Sequence, residues 1–209
     1  MTGGGFHEAF WSQRYREAGD DFLFGTAPNR YLRHNVGALA GGNDVLCVAD
    51  GEGRNSVWLA EQGYLVTATE ISPVALEKAR KFAAGRQVAV SFEQADLLTC
   101  SWPAEAYDAL VAIFIQFVGP VEREALFAGM QRAVRPGGVF VLQGYTPKQI
   151  EYKTGGPPSV ENLYTEEWVR ATFASWHIER LDVYEDDLSE GCAHKGRSAL
   201  LGLIARKPA

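Results

Sequence analysis

The feature that most constrains this chain is the alternation of short apolar runs with segments of helical spacing. Strands that alternate with helices form parallel sheets whose faces are covered by the helices. The last two runs have only a short connection without a helix, which predicts that they pair antiparallel. Seven strands are predicted, at residues 45–49, 64–69, 88–94, 107–114, 139–145, 178–184 and 199–206.

The segments between the strands carry helix signals. Ser72 and Pro73 form an N-cap and a first helical residue, and Gly63 ends the preceding helix. The segment 146–161 is rich in glycine and proline and too long for a simple connector, which makes it a candidate functional loop. Core helices are predicted at residues 55–62, 73–84, 122–133 and 165–173, and a helical cap at about 5–39.

The predicted fold class is therefore α/β, in one domain of residues 1–209. Residues 1–40 form the cap, and residues 41–209 form a core with helices on both faces of the sheet. The sheet has seven strands and is mostly parallel, with one antiparallel strand. One antiparallel strand at the end of such a sheet already argues against an ordinary dehydrogenase.

Charge and apolar patterning exclude several partners. The net charge is -6 and the sequence pI about 5.3, so no nucleic acid partner is expected. No apolar run reaches the roughly 18 residues of a membrane span, so no membrane partner is expected. The N-terminal segment does not resemble an export signal, which predicts a cytoplasmic protein. No metal is expected, because neither the histidines nor Cys47, Cys100 and Cys192 have ligand spacing. A monomer and a homodimer both stay open.

The turn after the first strand, Ala49-Asp50-Gly51-Glu52-Gly53-Arg54, indicates a ligand. Gly51 and Gly53 allow the backbone to approach a bound molecule at the start of the next helix. A dinucleotide fingerprint requires a third glycine where Ser56 stands. Because Asp50 and Glu52 are poor neighbours for a pyrophosphate, a ligand without phosphates or with a positive charge fits better, and S-adenosylmethionine is such a ligand.

Two further acids follow successive strands. Glu70 lies about 20 residues beyond the glycines, the spacing at which an acid accepts hydrogen bonds from ribose hydroxyls. Asp96 follows the third strand, where it can accept from the exocyclic amine of adenine, and the amide of Leu97 is placed for a ring nitrogen. Taken singly, these residues are ordinary turn, strand-end and cap residues. Their recurrence at three strand ends favours one nucleoside site.

The order of these motifs resembles the class I S-adenosylmethionine-dependent methyltransferases, which have a Rossmann-like fold, over nearly the whole chain. Within that class, four segments are similar to the branch of tellurite-resistance and thiopurine-type methyltransferases: FWSQRY (10–15), FGTAPNRYL (24–32), GEGRN (51–55) and YKTGGPP (152–158). The C-terminal segment EGCAHKGRSALLGLIARK (190–207) is typical of bacterial members of that branch.

The resemblance implies a set of cofactor contacts. It places the ribose on Glu70, the adenine on Asp96 and Leu97, and the amino-acid part on the backbone of residues 49–53. It also implies that Trp11 and Tyr15 close over the cofactor. The full expected cofactor set is Trp11, Tyr15, Ala49, Gly51, Gly53, Asn55, Glu70, Ile71, Asp96, Leu97 and Ile113.

Two residues depart from the class pattern. Many members have an acid where Cys47 stands and a glycine where Ala49 stands. The ammonium group of the cofactor is therefore expected to use other acceptors, such as backbone carbonyls.

The methyl acceptor is expected beyond the first and fourth strands, under the cap and the loop 146–161. Phe114, Gln116 and Phe117 follow the fourth strand, where core packing and substrate contact are equally good interpretations. His194 and Arg197 precede the last strand, where they could bind an anion or relay a proton; a surface turn with an ion pair to Glu190 is the stronger alternative. Candidate catalytic residues are Tyr15, Gln116, Tyr152, His194 and Arg197, although a tyrosine is more often a packing residue.

The aromatic cap predicts a small apolar or polarisable acceptor, since a polymer needs an open groove. Its members are Phe6, Phe10, Trp11, Tyr15, Phe22 and Phe24. The leading hypothesis is methyl transfer from S-adenosylmethionine to a thiol or another chalcogen, as in tellurite or selenite detoxification. Alternatives are N- or O-methylation of a small metabolite, a nicotinamide-dependent oxidoreductase, and a cofactor-binding module without activity.

Overall fold

The computed structural model describes residues 3–191 and 193–209, with side chains from residue 7 onward. Cys192 and the side chain of Phe6 lie outside that part. The helices are α1 Gly3–Glu17, α2 Arg30–His34, α3 Arg54–Glu61, α4 Pro73–Gly85, α5 Pro120–Ala133, α6 Gln149–Tyr152 and α7 Glu166–Thr172. The strands are β1 Asp44–Val48, β2 Leu65–Glu70, β3 Ser91–Gln94, β4 Tyr107–Ile113, β5 Val134–Tyr145, β6 His177–Glu190 and β7 His194–Arg206. Two 3₁₀ turns lie at Val36–Leu39 and Val160–Asn162.

The strands form one sheet in the order β3-β2-β1-β4-β5-β7-β6. All neighbouring pairs are parallel except the two made by β7, so the predicted mostly parallel sheet with one antiparallel strand is confirmed. The strand order reverses direction between β1 and β4. In sheets of this kind, such a reversal leaves a crevice at the carboxyl ends of the two strands.

Alternate residues of the central strands point to opposite faces of the sheet, and each face has its own core. In β1, Leu46 and Val48 belong to the core covered by α5 and α7, whereas Val45 and Cys47 belong to the core covered by α2 and α3. Residues of β4 and β5 divide in the same way. Helices therefore cover both faces, as predicted from the alternation of apolar runs with helical segments. Among the described residues, no helix has the length and apolar character that a membrane span requires.

The largest difference from the sequence-based prediction is the hairpin of β6 and β7. Its backbone pairing continues to Glu190 and His194, far beyond the predicted strand residues 178–184 and 199–206. The extension is polar because β6 is an edge strand with one side toward water, so the apolar run ends long before the strand does. Smaller differences are a late start of β3 and an early start of β5, at Val134.

The tip of this hairpin holds the cap to the core. Glu190 forms an ion pair with Arg54 at the start of α3, with a distance of 2.8 Å from Arg54 Nη1 to Glu190 Oε2, and both side chains are buried. Asn29 caps α2 by accepting from the amide of Leu32, and its Nδ2 donates to Glu190 Oε1 at 3.0 Å. Glu190 therefore joins the cap, α3 and the hairpin.

We predict that Glu190→Gln lowers the free energy of unfolding by about 3–5 kcal/mol, because Arg54 keeps a buried charge without its partner. Burial opposes ionisation, but the proximity of His194 and Arg54 holds the pKa of Glu190 at about 2. Its stabilising contribution is thus complete above the ordinary carboxyl pKa and is lost as the pH falls toward about 2.

Urea unfolding at pH 7 and pH 3 measures both effects. The matched control is Glu185→Gln on the same strand, because Glu185 forms exposed ion pairs with Lys148 and Arg197. Equal stability of the two variants would contradict the assignment of Glu190.

Candidate active site

A cavity of about 460 Å³ opens at the carboxyl ends of β1, β2 and β4. The turn after β1 forms one wall, α1 covers the cavity, and residues 155–158 of the loop after β5 close its side. This is the crevice that the reversal of strand order creates. The predicted cofactor residues that line it are Trp11, Tyr15, Ala49, Gly51, Asn55, Glu70, Ile71, Asp96, Leu97 and Ile113.

The turn after β1 has a left-handed backbone at three residues. The φ angles are +47° at Ala49, +63° at Gly51 and +89° at Gly53. Glycine has no steric cost in this region, whereas alanine does, which explains why a glycine is usual at the position of Ala49. Gly53 does not line the cavity: a Cβ atom there would lie 3.0 Å from Ala79 Cβ, so this glycine allows α3 and α4 to pack closely.

Gly51 allows Tyr15 to approach the turn. A Cβ atom on Gly51 would lie 2.8 Å from the hydroxyl oxygen of Tyr15. Burial, followed by the charges of Glu70 and Glu52, raises the pKa of Tyr15 well above its usual range. Tyr15 is therefore a neutral hydrogen-bonding group at the roof of the cavity.

Glu70 is buried at the end of β2 and is held by backbone amides. Its Oε2 accepts from the amide of Gly51 at 3.0 Å, and its Oε1 accepts from the amide of Ser72 at 2.9 Å. Burial raises the pKa of Glu70, and these amide hydrogen bonds act against the rise. Each carboxylate oxygen has a second lone pair, so the carboxylate can accept two more hydrogen bonds from a ligand.

Asp96 and Leu97 lie at the end of the cavity beyond β3. Asp96 Oδ1 accepts from the amide of Leu98 at 3.0 Å, which fixes the carboxylate relative to the loop. Ile71 and Ile113 line the cavity with them. The arrangement offers apolar walls with a polar edge, the surroundings that a purine ring requires.

The two acids of the glycine turn have different environments. Glu52 faces away from the cavity: its Oε1 lies 2.6 Å from Lys78 Nζ, and its Oε2 accepts from the amide of Leu23 at 2.7 Å. Asp50 lines the cavity, and its carboxylate accepts from the hydroxyl of Ser56. Burial and the charge of Glu70 raise the pKa of Asp50 to about 7. Sequence reasoning did not assign Asp50 to the site, although its place beside Gly51 was a signal.

The opposite end of the cavity is aromatic and contains His194. The His194 ring lies 4.6 Å from that of Phe24, 4.5 Å from that of Phe114 and 5.7 Å from that of Tyr145. The predicted surface turn is therefore wrong at His194, which is 8% exposed, because the hairpin continues under the cap. Glu190 Oε2 lies 4.0 Å from His194 Nδ1, and burial lowers the pKa of His194 below its ordinary value.

Three other catalytic candidates have structural contacts. Gln116 lines the cavity, but its side chain donates to the carbonyl of Tyr145 at 2.9 Å and accepts from the amide of the same residue at 2.6 Å. The structure does not bring Tyr152 and Arg197 to the cavity. Both bind Glu185 near the surface, with distances of 2.8 Å from the Tyr152 hydroxyl and from Arg197 Nη2 to Glu185 Oε2.

The aromatic residues of the cap divide into two groups. Trp11, Tyr15 and Phe24 line the cavity together, with ring centroids 6.1–6.4 Å apart. Phe10 also lines it. Phe22 instead packs on Phe82 of α4, with a centroid distance of 5.3 Å.

Comparisons with known proteins agree with this geometry. Residues 45–138 match the model of a family described as methyltransferase domain. A demethylmenaquinone methyltransferase of Deinococcus radiodurans is 31% identical over 105 residues, 49% of this chain and 43% of that protein. A 2-heptyl-1-hydroxyquinolin-4(1H)-one methyltransferase of Mycobacteroides abscessus is 24% identical over 132 residues, 60% of this chain and 58% of that protein. The chain thus spans about half the length of these curated relatives.

The fold has solved counterparts. A structure described as "Conversion of a Disulfide Bond into a Thioacetal Group during Echinomycin Biosynthesis" has a TM-score of 0.77 at 23% identity, covering 96% of this chain and 91% of that chain. The sheet and its cavity define a Rossmann-like fold of the methyltransferase type. Residues 45–138 are thus similar to a methyltransferase domain, and the fold is that of S-adenosylmethionine-dependent methyltransferases of known structure.

We predict that Gly51→Ala destabilises the protein more than Gly63→Ala. Both glycines have positive φ, which costs about 1 kcal/mol for alanine, but no atom lies within 4 Å of a Cβ on Gly63. The additional loss of unfolding free energy at Gly51 comes from contact with the Tyr15 hydroxyl, so it should largely disappear when Tyr15→Phe is also present. Urea unfolding of Gly51→Ala, Gly63→Ala, Tyr15→Phe and the double variant Gly51→Ala/Tyr15→Phe measures these losses. Equal losses of unfolding free energy in Gly51→Ala and Gly63→Ala would contradict the prediction.

Proposed function

We propose that this protein transfers a methyl group from S-adenosylmethionine to a small molecule whose nucleophile is a thiol or another chalcogen. The observation that carries the proposal is a single cavity with two chemically different ends. One end has Glu70 and Asp96, and the other has aromatic rings around His194. A methyltransferase must hold a nucleoside cofactor and an apolar acceptor side by side, out of water.

The residues at the first end fit the cofactor. Glu70 would accept from the ribose hydroxyls, Asp96 and Leu97 would bind the adenine, and the turn 49–53 would hold the amino-acid part. The left-handed turn lets backbone atoms approach a ligand, and acids with raised pKa values favour a cationic one. When bound, the cofactor supplies a methyl group on a sulfonium sulfur: the acceptor's lone pair forms the new bond while the carbon–sulfonium electron pair returns to that sulfur.

The residues at the second end suit a polarisable acceptor. Phe24, Phe114 and Tyr145 exclude water and present ring surfaces, which bind sulfur favourably. The lowered pKa of His194 makes its imidazole neutral at pH 7, so the ring can take the proton of a thiol. Glu190, 4.0 Å from Nδ1, would stabilise the resulting imidazolium.

O-methylation of a flat aromatic acceptor is the second candidate. The relative from Mycobacteroides abscessus is named for a 2-heptyl-1-hydroxyquinolin-4(1H)-one, a ring compound with a hydroxyl group. The ring-lined end of the cavity suits such an acceptor too. Release of S-adenosylhomocysteine with thiol, selenide, tellurite, phenol and hydroxyquinoline acceptors distinguishes the candidates: we expect turnover on thiols, and turnover confined to hydroxyl acceptors would favour the second.

We predict that Glu70→Gln and Asp96→Asn each weaken S-adenosylmethionine binding by about 1–3 kcal/mol, the cost of losing hydrogen bonds to a charged acceptor. Titration calorimetry measures the effect. Glu93→Gln on the exposed side of β3 is the matched control and should bind normally. Unchanged affinity in both site variants would refute the cofactor assignment.

We predict that His194→Gln lowers kcat for a thiol acceptor about 100-fold at pH 7, the usual scale of proton transfer by a side chain. Cofactor affinity should stay unchanged. The deficit should shrink as the pH approaches the thiol pKa, because the thiolate needs no base. Arg197→Gln is the control for a charged residue of the same strand outside the cavity. A full rate with an unaltered pH profile in His194→Gln would exclude this role.

A further inference from the structure

Asp50 is a fixed carboxylate in the wall of the cavity. It directly follows the left-handed Ala49, its amide donates to the carbonyl of Thr69 at 3.0 Å, and its side chain accepts from the Ser56 hydroxyl. The strand β2 and the helix α3 therefore hold it from two sides. Its side chain remains only partly covered, because it faces the cavity.

The groups around Asp50 leave its charge poorly compensated. Glu70 faces it from β2, Arg54 from α3, Tyr15 from α1 and Cys47 from β1. Arg54 is already paired with Glu190, and burial raises the pKa of both the Tyr15 hydroxyl and the Cys47 thiol, which keeps them neutral. Arg14 of α1 also lines the cavity, but among the described residues neither Asp50 nor Glu70 forms an ion pair with a cation.

We propose that ionised Asp50 is the counter-charge for the α-ammonium group of S-adenosylmethionine, so that cofactor binding is linked to loss of a proton from Asp50. The inference rests on the proposed function. The turn 49–53 is where the amino-acid part is expected, and the acid common at the position of Cys47 is missing here. Asp50 supplies a carboxylate at the same strand end. The sulfonium, by contrast, would face the aromatic end of the cavity, where the acceptor is proposed to bind.

The affinity for S-adenosylmethionine should increase with pH. The pKa of Asp50 is about 7 in the ligand-free protein, and a neighbouring ammonium lowers it. Binding at pH 7 should then release about half a proton. The affinity for S-adenosylmethionine should increase about tenfold from pH 6 to pH 8, because less work is needed to ionise Asp50 at the higher pH.

Titration calorimetry at pH 6 and pH 8 with three ligands tests the proposal. S-adenosylmethionine and S-adenosylhomocysteine both carry the ammonium, whereas methylthioadenosine keeps the nucleoside and lacks the amino-acid tail. We expect the tenfold dependence for the first two ligands and none for the third. Since methylthioadenosine still contacts Glu70, it controls for titration of that acid. Buffers of different ionisation enthalpy report the released proton.

Two variants test whether Asp50 is the titrating group. Asp50→Asn should bind S-adenosylmethionine at least tenfold more weakly than wild type at pH 8, without pH dependence or proton release, and should bind methylthioadenosine normally. Ser56→Ala removes a hydrogen bond that lowers the pKa of Asp50, so the midpoint of the pH dependence should move upward. Because Asp50→Asn removes a charge that its surroundings and Glu70 disfavour, its melting temperature without ligand should not fall below that of wild type at pH 8.

Each contrary result would overturn a different claim. If the affinity for S-adenosylmethionine does not depend on pH, or if Asp50→Asn binds it as the wild-type protein does, the role of Asp50 is overturned. The proposed function is not affected by either result. A pH dependence shared by methylthioadenosine would assign the titration to Glu70 instead. A dependence seen with S-adenosylmethionine but not with S-adenosylhomocysteine would move the counter-charge to the sulfonium. No binding of any ligand to the wild-type protein would overturn the proposed function, and this inference with it.

Discussion

The reversal of strand order between β1 and β4 is the constraint on which the rest of the structure depends. Helices cannot cover the sheet at that point, because the connections leave β1 and β4 toward opposite faces. The crevice must be closed by other parts of the chain. Here α1, the hairpin tip and the loop after β5 close it, and each contributes residues to the same cavity.

Closing the crevice buries several acidic side chains, and each of them has a different set of partners. Glu52 and Glu190 have cationic partners in Lys78 and Arg54. Glu52 also accepts from the amide of Leu23, which connects the cap to the glycine turn, and Glu190 connects the hairpin to it. Glu70 is satisfied by backbone amides. Asp50 accepts hydrogen bonds from Ser56, and in the described part of the chain it forms no ion pair. Structural and ligand-directed acids thus stand next to each other in one turn.

The sequence was informative where chemistry follows the strand ends locally. The glycine turn, Glu70 and Asp96 each adjoin a strong apolar run, and all of them meet at the predicted edge of the sheet. The contacts of Arg54 with Glu190 and of His194 with Phe24 could not be predicted, because they depend on how far a polar edge hairpin extends. Beyond residue 184 the pattern of β6 is that of an exposed turn, so His194 was expected at the surface. Arg197 and Tyr152 were candidate catalytic residues, but both contact Glu185 of β6, outside the cavity.

A crystal structure with S-adenosylhomocysteine bound is the most direct test of the central claim that one cavity at the ends of β1, β2 and β4 binds the cofactor. The account predicts density for the ligand in that cavity, with the ribose hydroxyls on Glu70, the adenine beside Asp96 and the ammonium within ion-pair distance of Asp50. Density for the ligand at another surface, or a cavity that stays filled with solvent at saturating ligand, would contradict it.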